Sequence, residues 1–176
     1  MSPVEAWLNA NTEGYAHLVP DERQAIHEFS LLWSFFEARV MANNASIGGF
    51  RARVAQAANH GSGLDVEPFQ EALAFFTARY RDGSGFNHRF QALRFHPGPN
   101  GGRTEVEAVL SEAQTGAAET ILALLIIVYR LRNNLFHGEK WSYYFKDQLG
   151  NFTHASAILM RTVELFAVKG LLTVPE

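Results

Sequence analysis

The stretch ILALLIIVYRLRNNLFHG, residues 121–138, decides the fold. Its first nine residues, Ile121 to Tyr129, are apolar or aromatic without a break. A membrane-spanning helix needs about 20 such residues, so this run predicts a helix buried inside the protein and not an anchor. Gly138 is well placed as its C-terminal stop. The exit of the helix is polar: Arg130, Arg132, Asn133, Asn134 and His137 follow in quick succession. At about 100° per residue, Arg130, Asn133 and His137 share one face, which runs back through Ile126, Ala123 and Glu119. Arg132 lies roughly 140° away from His137 by the same arithmetic. A straight helix therefore does not bring Arg132 and His137 of one chain together. Either the helix loosens at Asn134, or a second copy completes the site across a two-fold axis. A plainer role exists for these residues, because cations near a helix C-terminus are favoured by the macrodipole and His137 can cap the last carbonyls. Against it, Asn133-Asn134 lowers helix propensity, and polar groups set against so apolar a run need partners.

Working outward, three further blocks have helical periodicity. Upstream, Pro20 is followed by Asp21 as a candidate N-cap with Gln24 at the capping-box spacing. Ile26, Phe29, Trp33, Phe36 and Val40 then recur at three- and four-residue steps. Arg51 and Arg53 lie on a short extension to about Asn59, stopped by Gly61 and Gly63. Asp65-Val66-Glu67-Pro68 opens the second block, with Phe69, Leu73, Phe76 and Tyr80 on its apolar face. Gly83 and Gly85 break it, and Phe86, Phe90 and Leu93 suggest a short continuation before the loop at 96–102. The block holding the apolar run starts at Thr104, with Glu107 as a second capping box, and is interrupted near Gly116. Downstream, a block from about Phe152 to Lys169 sets Ala155, Ile158, Leu159, Thr162, Leu165 and Phe166 on one side and ends at Gly170. No stretch keeps period two for long. The expectation is an all-α bundle of four main helices with additional short ones; an α+β fold with a hairpin within 81–103 is the lesser alternative.

Composition agrees with one packed domain. The chain has 176 residues, 47% of them hydrophobic and 14 of them Phe, enough to bury a core without staples. With no cysteine there is no disulfide framework, thiolate zinc site or cysteine nucleophile, which fits a reducing cytoplasm. Glu5, Asn9, Asn11 and Glu13 interrupt any secretory apolar segment. The net charge of −3 excludes a broadly basic nucleic-acid coat protein and leaves room for a local basic surface. No His-x-x-x-His or Glu-x-x-His pair, phosphate-binding glycine loop or Gly-x-Ser-x-Gly elbow is present, so no metal and no cofactor is expected.

The string Arg132-Asn133-Asn134-Leu135-Phe136-His137-Gly138 resembles the signature of the HEPN superfamily: an Arg, an adjacent polar residue, and a His after four to six intervening residues. HEPN domains are all-α bundles with that motif at the end of the third core helix. The surroundings, Leu124 to Trp141 and Ile26 to Arg39, also resemble small bacterial HEPN proteins, and the likeness covers about residues 21–169. It implies a metal-independent endoribonuclease acting on RNA as a homodimer, a toxin or phage-defence effector restrained by an antitoxin or a nucleotidyltransferase-like partner, with Arg132, Asn133 and His137 as its catalytic residues. The residue types suit the chemistry: His titrates near neutral pH and can take the 2′-hydroxyl proton, Arg offers a planar donor fork to a phosphorane, and Asn133 can orient the imidazole or bond the phosphate. Other superfamily members have lost catalysis, so the resemblance also covers a module that binds RNA, a nucleotide or a protein partner. One toxin branch has Tyr two residues after the motif His, where its partner attaches nucleotides. This chain has Glu139 there, and the role does not pass to Tyr143 or Tyr144.

Four residues are expected to support such a site. Arg130 precedes the motif and Asn134 lies within it. Glu37, after Phe35-Phe36, is placed to pair with Arg132 or Arg130, or with Arg39 at the surface. Lys140, like Lys146, can contact phosphate or face solvent. A basic segment, Arg79, Arg81, Arg89, Arg94 and Arg103 against Asp82, carries Phe86, His88, Phe90, Phe95 and His96 between the arginines. It reads either as an RNA-tracking surface or as core phenylalanines with solvated arginines.

Overall fold

The structure, a computed structural model, describes residues 1–12, 14–136 and 147–174. In chain order the helices are α1 (Pro3–Asn11), α2 (Pro20–Val40), α3 (Ile47–Ala58), α4 (Gln70–Tyr80), α5 (His88–Gln91), α6 (Arg103–Leu110), α7 (Ala117–Phe136) and α8 (Leu149–Val168). Between α4 and α5 lies the smallest of hairpins, β1 (Arg81–Asp82) paired antiparallel with β2 (Gly85–Phe86). The fold is all-α, and among the described residues no helix is long and apolar enough to cross a membrane.

Helix α7 is the axis. Its side chains from Thr120 to Leu135 are buried except at Leu122, Tyr129 and Arg132. Helices α3 and α6 pack on it, and α2 packs along α8, where the Phe29 and Phe152 rings lie 5.1 Å apart. On α2 the buried set is Ala25, Phe29, Trp33, Phe36 and Val40, the expected stripe with Ala25 in place of Ile26. Gly102 shows why α6 can sit so close to α7. It has φ +77°, and a Cβ there would come within 2.8 Å of the Ile126 side chain, so the residue needs both the left-handed conformation and the missing side chain.

The helix starts correct three details. The cap of α2 is Val19 with Pro20 at the first helical position, not Asp21. Glu22 accepts the Val19 N–H at 3.1 Å, so the reciprocal contact forms two residues earlier than Gln24 would place it. Proline costs nothing at that position because its missing N–H would have no partner there. Helix α6 begins at Arg103 behind Gly102, and Glu107 pairs with Arg103 at 2.7 Å instead of closing a box with Thr104. Third, Ser2 and Glu5 close a capping box that starts α1, a helix the apolar periodicity does not announce.

His154 on α8 stacks on Phe75 of α4 with ring centroids 4.0 Å apart. Burial lowers its pKa from the ordinary value near 6.5, partly opposed by the charge of Glu71. The unfolded chain therefore binds this proton at higher pH than the folded one. The stability held by the neutral ring is complete above about pH 6.5 and is lost as pH falls through the lower folded value. The urea midpoint should drop more steeply between about pH 7.5 and about pH 5.5 for the native protein than for His154→Gln; parallel curves would contradict this account.

Candidate functional site

The polar exit of α7 divides into two sets. Arg130 is 4% exposed. Its Nε donates to the Leu93 carbonyl at 3.0 Å and its Nη2 donates to the Arg94 carbonyl. One turn on, Asn134 Nδ2 donates to the Ala92 carbonyl at 3.0 Å. These three carbonyls lie in the turn just past the single-turn helix α5, where the chain passes through Arg94 at φ +54°. Buried carbonyls of such a turn need donors, and Arg130 and Asn134 supply them. Burial pushes the Arg130 pKa below the usual arginine value, against a smaller opposing effect of Tyr129. Arg130 and Asn134, expected at the edge of an RNA surface, are thus consumed by the backbone and support the site from beneath.

Arg132 belongs to the second set. It is half-buried, and its guanidinium carbon lies over two rings, 5.5 Å from the Trp33 centroid and 4.9 Å from the Phe136 centroid. Its Nη1 donates to Asn133 Oδ1 at 3.2 Å, and its Nε has no acceptor among the described residues. Among the described residues no carboxylate pairs with it. Asn133 is 8% exposed, so its amide is positioned by the helix rather than by solvent. Arg132 and Phe136 are one turn apart, with Arg132 directed at Trp33 of α2, while Arg130 and Asn134 are directed at the turn after α5.

Glu37 does not pair with either arginine. It accepts the Trp33 Nε1–H at 3.1 Å, one turn away on the same helix. The expected ion pair is replaced by an indirect arrangement in which Glu37 orients Trp33 and Trp33 supports Arg132. Trp33 and Phe136, with Tyr129 whose ring centroid lies 6.0 Å from that of Trp33, are the residues that the sequence reading missed as site components. The available signal was the Trp33/Glu37 and Arg132/Phe136 spacing of four. His137 and Lys140, together with Glu139, Tyr143, Tyr144 and Lys146, lie outside the described residues.

The basic segment resolves toward structure. Phe90 is fully buried, with Phe86 and Phe95 packed against it at 4.3 and 5.2 Å. Arg79 and Arg89 reach Asp147, Arg81 donates to the Leu110 carbonyl at 2.8 Å, and Arg103 binds Glu107 and Gln91. A groove of about 590 Å³ lies elsewhere, between Pro68, Phe69, Glu71, Leu165 and Val168, and no motif residue lines it. Among the described residues no cluster of three His, Asp or Glu could hold a metal ion. Comparison of the chain with protein-family models, curated proteins and solved structures gives no match.

The two arginines should separate in stability measurements. Arg130→Met leaves backbone carbonyls unsatisfied and should lower unfolding free energy by roughly 2–4 kcal/mol. Arg132→Met removes the cation–ring contacts and one hydrogen bond to the neighbouring Asn133, leaves no backbone carbonyl unsatisfied, and should cost about 1 kcal/mol. Equal losses in urea unfolding would refute the division.

Proposed function

We propose that the chain is a metal-independent endoribonuclease of the HEPN type, with a composite site shared by two copies. One observation carries this: Arg132 leaves the buried helix α7 as a guanidinium with no carboxylate partner among the described residues, mounted between Trp33 and Phe136. A cation kept uncompensated but oriented is suited to an anionic ligand, and the fork of Arg is suited to phosphate oxygens. The polar signature that begins at Arg132 adds the resemblance, and His137 supplies the group that titrates near neutral pH.

In this mechanism the imidazole of His137 takes the proton of the RNA 2′-hydroxyl. The 2′-oxygen attacks phosphorus, and the bond from phosphorus to the 5′-oxygen breaks. The leaving oxygen takes a proton from the imidazolium of the second copy, and the product is a 2′,3′-cyclic phosphate. Arg132 stabilises charge on the phosphorane, and Asn133 orients Arg132 through its Oδ1. If the helical spacing carried on to position 137, Arg132 and His137 of one chain would diverge, and a second copy would complete the site. Leu31 and Phe35, 74% and 50% exposed and one turn apart on α2, offer apolar surface for the pairing. The setting that suits such an enzyme is a cytoplasmic toxin or defence effector restrained by a partner protein.

The test is incubation with total RNA in EDTA. The native protein should release fragments ending in 2′,3′-cyclic phosphate, and His137→Ala and Arg132→Ala should each be slower by at least about 100-fold. Equal degradation by all three would contradict the proposal. Salt-dependent RNA binding without scission would point instead to a non-catalytic binding module.

A further inference from the structure

Phe136, the last residue of α7, is the observation to explain. The hydrophobic residues before it on the helix are buried or partly buried, yet Phe136 is 54% exposed. Its ring is not an isolated surface residue. The Arg132 guanidinium lies over it at 4.9 Å, and the same guanidinium lies over Trp33 at 5.5 Å. Trp33 is 3% exposed and is oriented by Glu37. The order is therefore an inner ring that is buried and held, a cation, and an outer ring open to water.

We propose that Phe136 is the platform on which an unpaired nucleobase stacks beside the phosphate held by Arg132, which makes it a specificity-determining residue for single-stranded RNA. This rests on the ribonuclease reading of the same site and names the part of the substrate that the described residues contact. A nucleotide presents a flat apolar face and a phosphate close together. Helix positions four apart present an aromatic ring and a guanidinium just as close. Stacking on an aromatic side chain accepts any base, because every base has a π-face. A duplex does not offer that face, because each base is already stacked on both sides. Arg132 supplies the charge, and Phe136 supplies the discrimination between unpaired and paired RNA.

The experiment uses the full chain and a short RNA made non-cleavable by 2′-deoxy substitution, with 2-aminopurine placed at successive positions. The native protein should quench the fluorescence at one position and bind the single strand more tightly than a duplex of the same sequence. Phe136→Leu should lose the quenching and bind the single strand roughly tenfold more weakly, with unchanged duplex binding, while Phe136→Tyr restores both. The side chain is half in water, so these variants should keep the native unfolding transition. Native affinity and quenching in Phe136→Leu overturn the proposal. If Arg132→Gln, measured in parallel, loses binding while Phe136→Leu does not, stacking fails and the phosphate role stands. If the native protein binds no RNA, both fail. If Phe136→Leu dissociates a dimer and leaves the quenching intact, the ring belongs to a protein contact and the proposal is likewise refuted.

Discussion

A guanidinium buried in α7, just after the unbroken apolar run from Ile121 to Tyr129, must find acceptors, and the arrangement around the helix follows from where Arg130 finds them. Its Nε and Nη2 take the carbonyls of Leu93 and Arg94, and Asn134 takes that of Ala92. The exchange is mutual. The carbonyls of Ala92, Leu93 and Arg94, in the turn just past α5, need donors, and the guanidinium on α7 needs acceptors in an apolar interior. Each resolves the other's problem, and the loop that follows α5 is thereby tied to the last turns of α7.

That tie decides what the neighbouring polar residues are free to do. With Arg130 and Asn134 directed at the turn after α5, the helix turns Arg132 toward Trp33 of α2. There the support is aromatic instead of anionic. A carboxylate beside Arg132 would have neutralised it, whereas the Trp33 face steadies it and leaves its charge available. Glu37 acts one step removed, on the indole rather than on the cation, so its negative charge does not compete with a phosphate at the guanidinium.

Much of the fold was legible because its signals are local. The apolar run of α7, the stripe on α2, the stop at Gly170 and the break between α6 and α7 all follow from periodicity and punctuation. The missed details depend on competition between adjacent caps, as when Val19-Pro20 prevailed over Asp21, or on tertiary approach, as at Gly102. The site was legible only in part. The sequence shows two arginines two positions apart and equally polar. Only the placement of α5 and α2 makes one a structural latch and leaves the other available. The pairing of Glu37 was misjudged for the same reason: a carboxylate on α2 has the right charge for Arg132, but Trp33 on its own helix is within closer reach. The basic segment had the composition of either a nucleic-acid surface or a packed helix–loop; Arg79, Arg81, Arg89 and Arg103 bind neighbouring carbonyls, carboxylates and Gln91.

We propose that Arg132, oriented by two rings and without a carboxylate partner among the described residues, meets a phosphate. The most direct measurement is the salt dependence of binding to a non-cleavable single-stranded RNA, for the native protein and for Arg132→Gln. Each phosphate neutralised on a single strand contributes about 0.7 to the slope of log affinity against log salt. The account predicts that the variant loses about that much slope per copy, with an unfolding midpoint close to native. An unchanged slope would mean that this guanidinium meets no phosphate, and the functional account would fail with it.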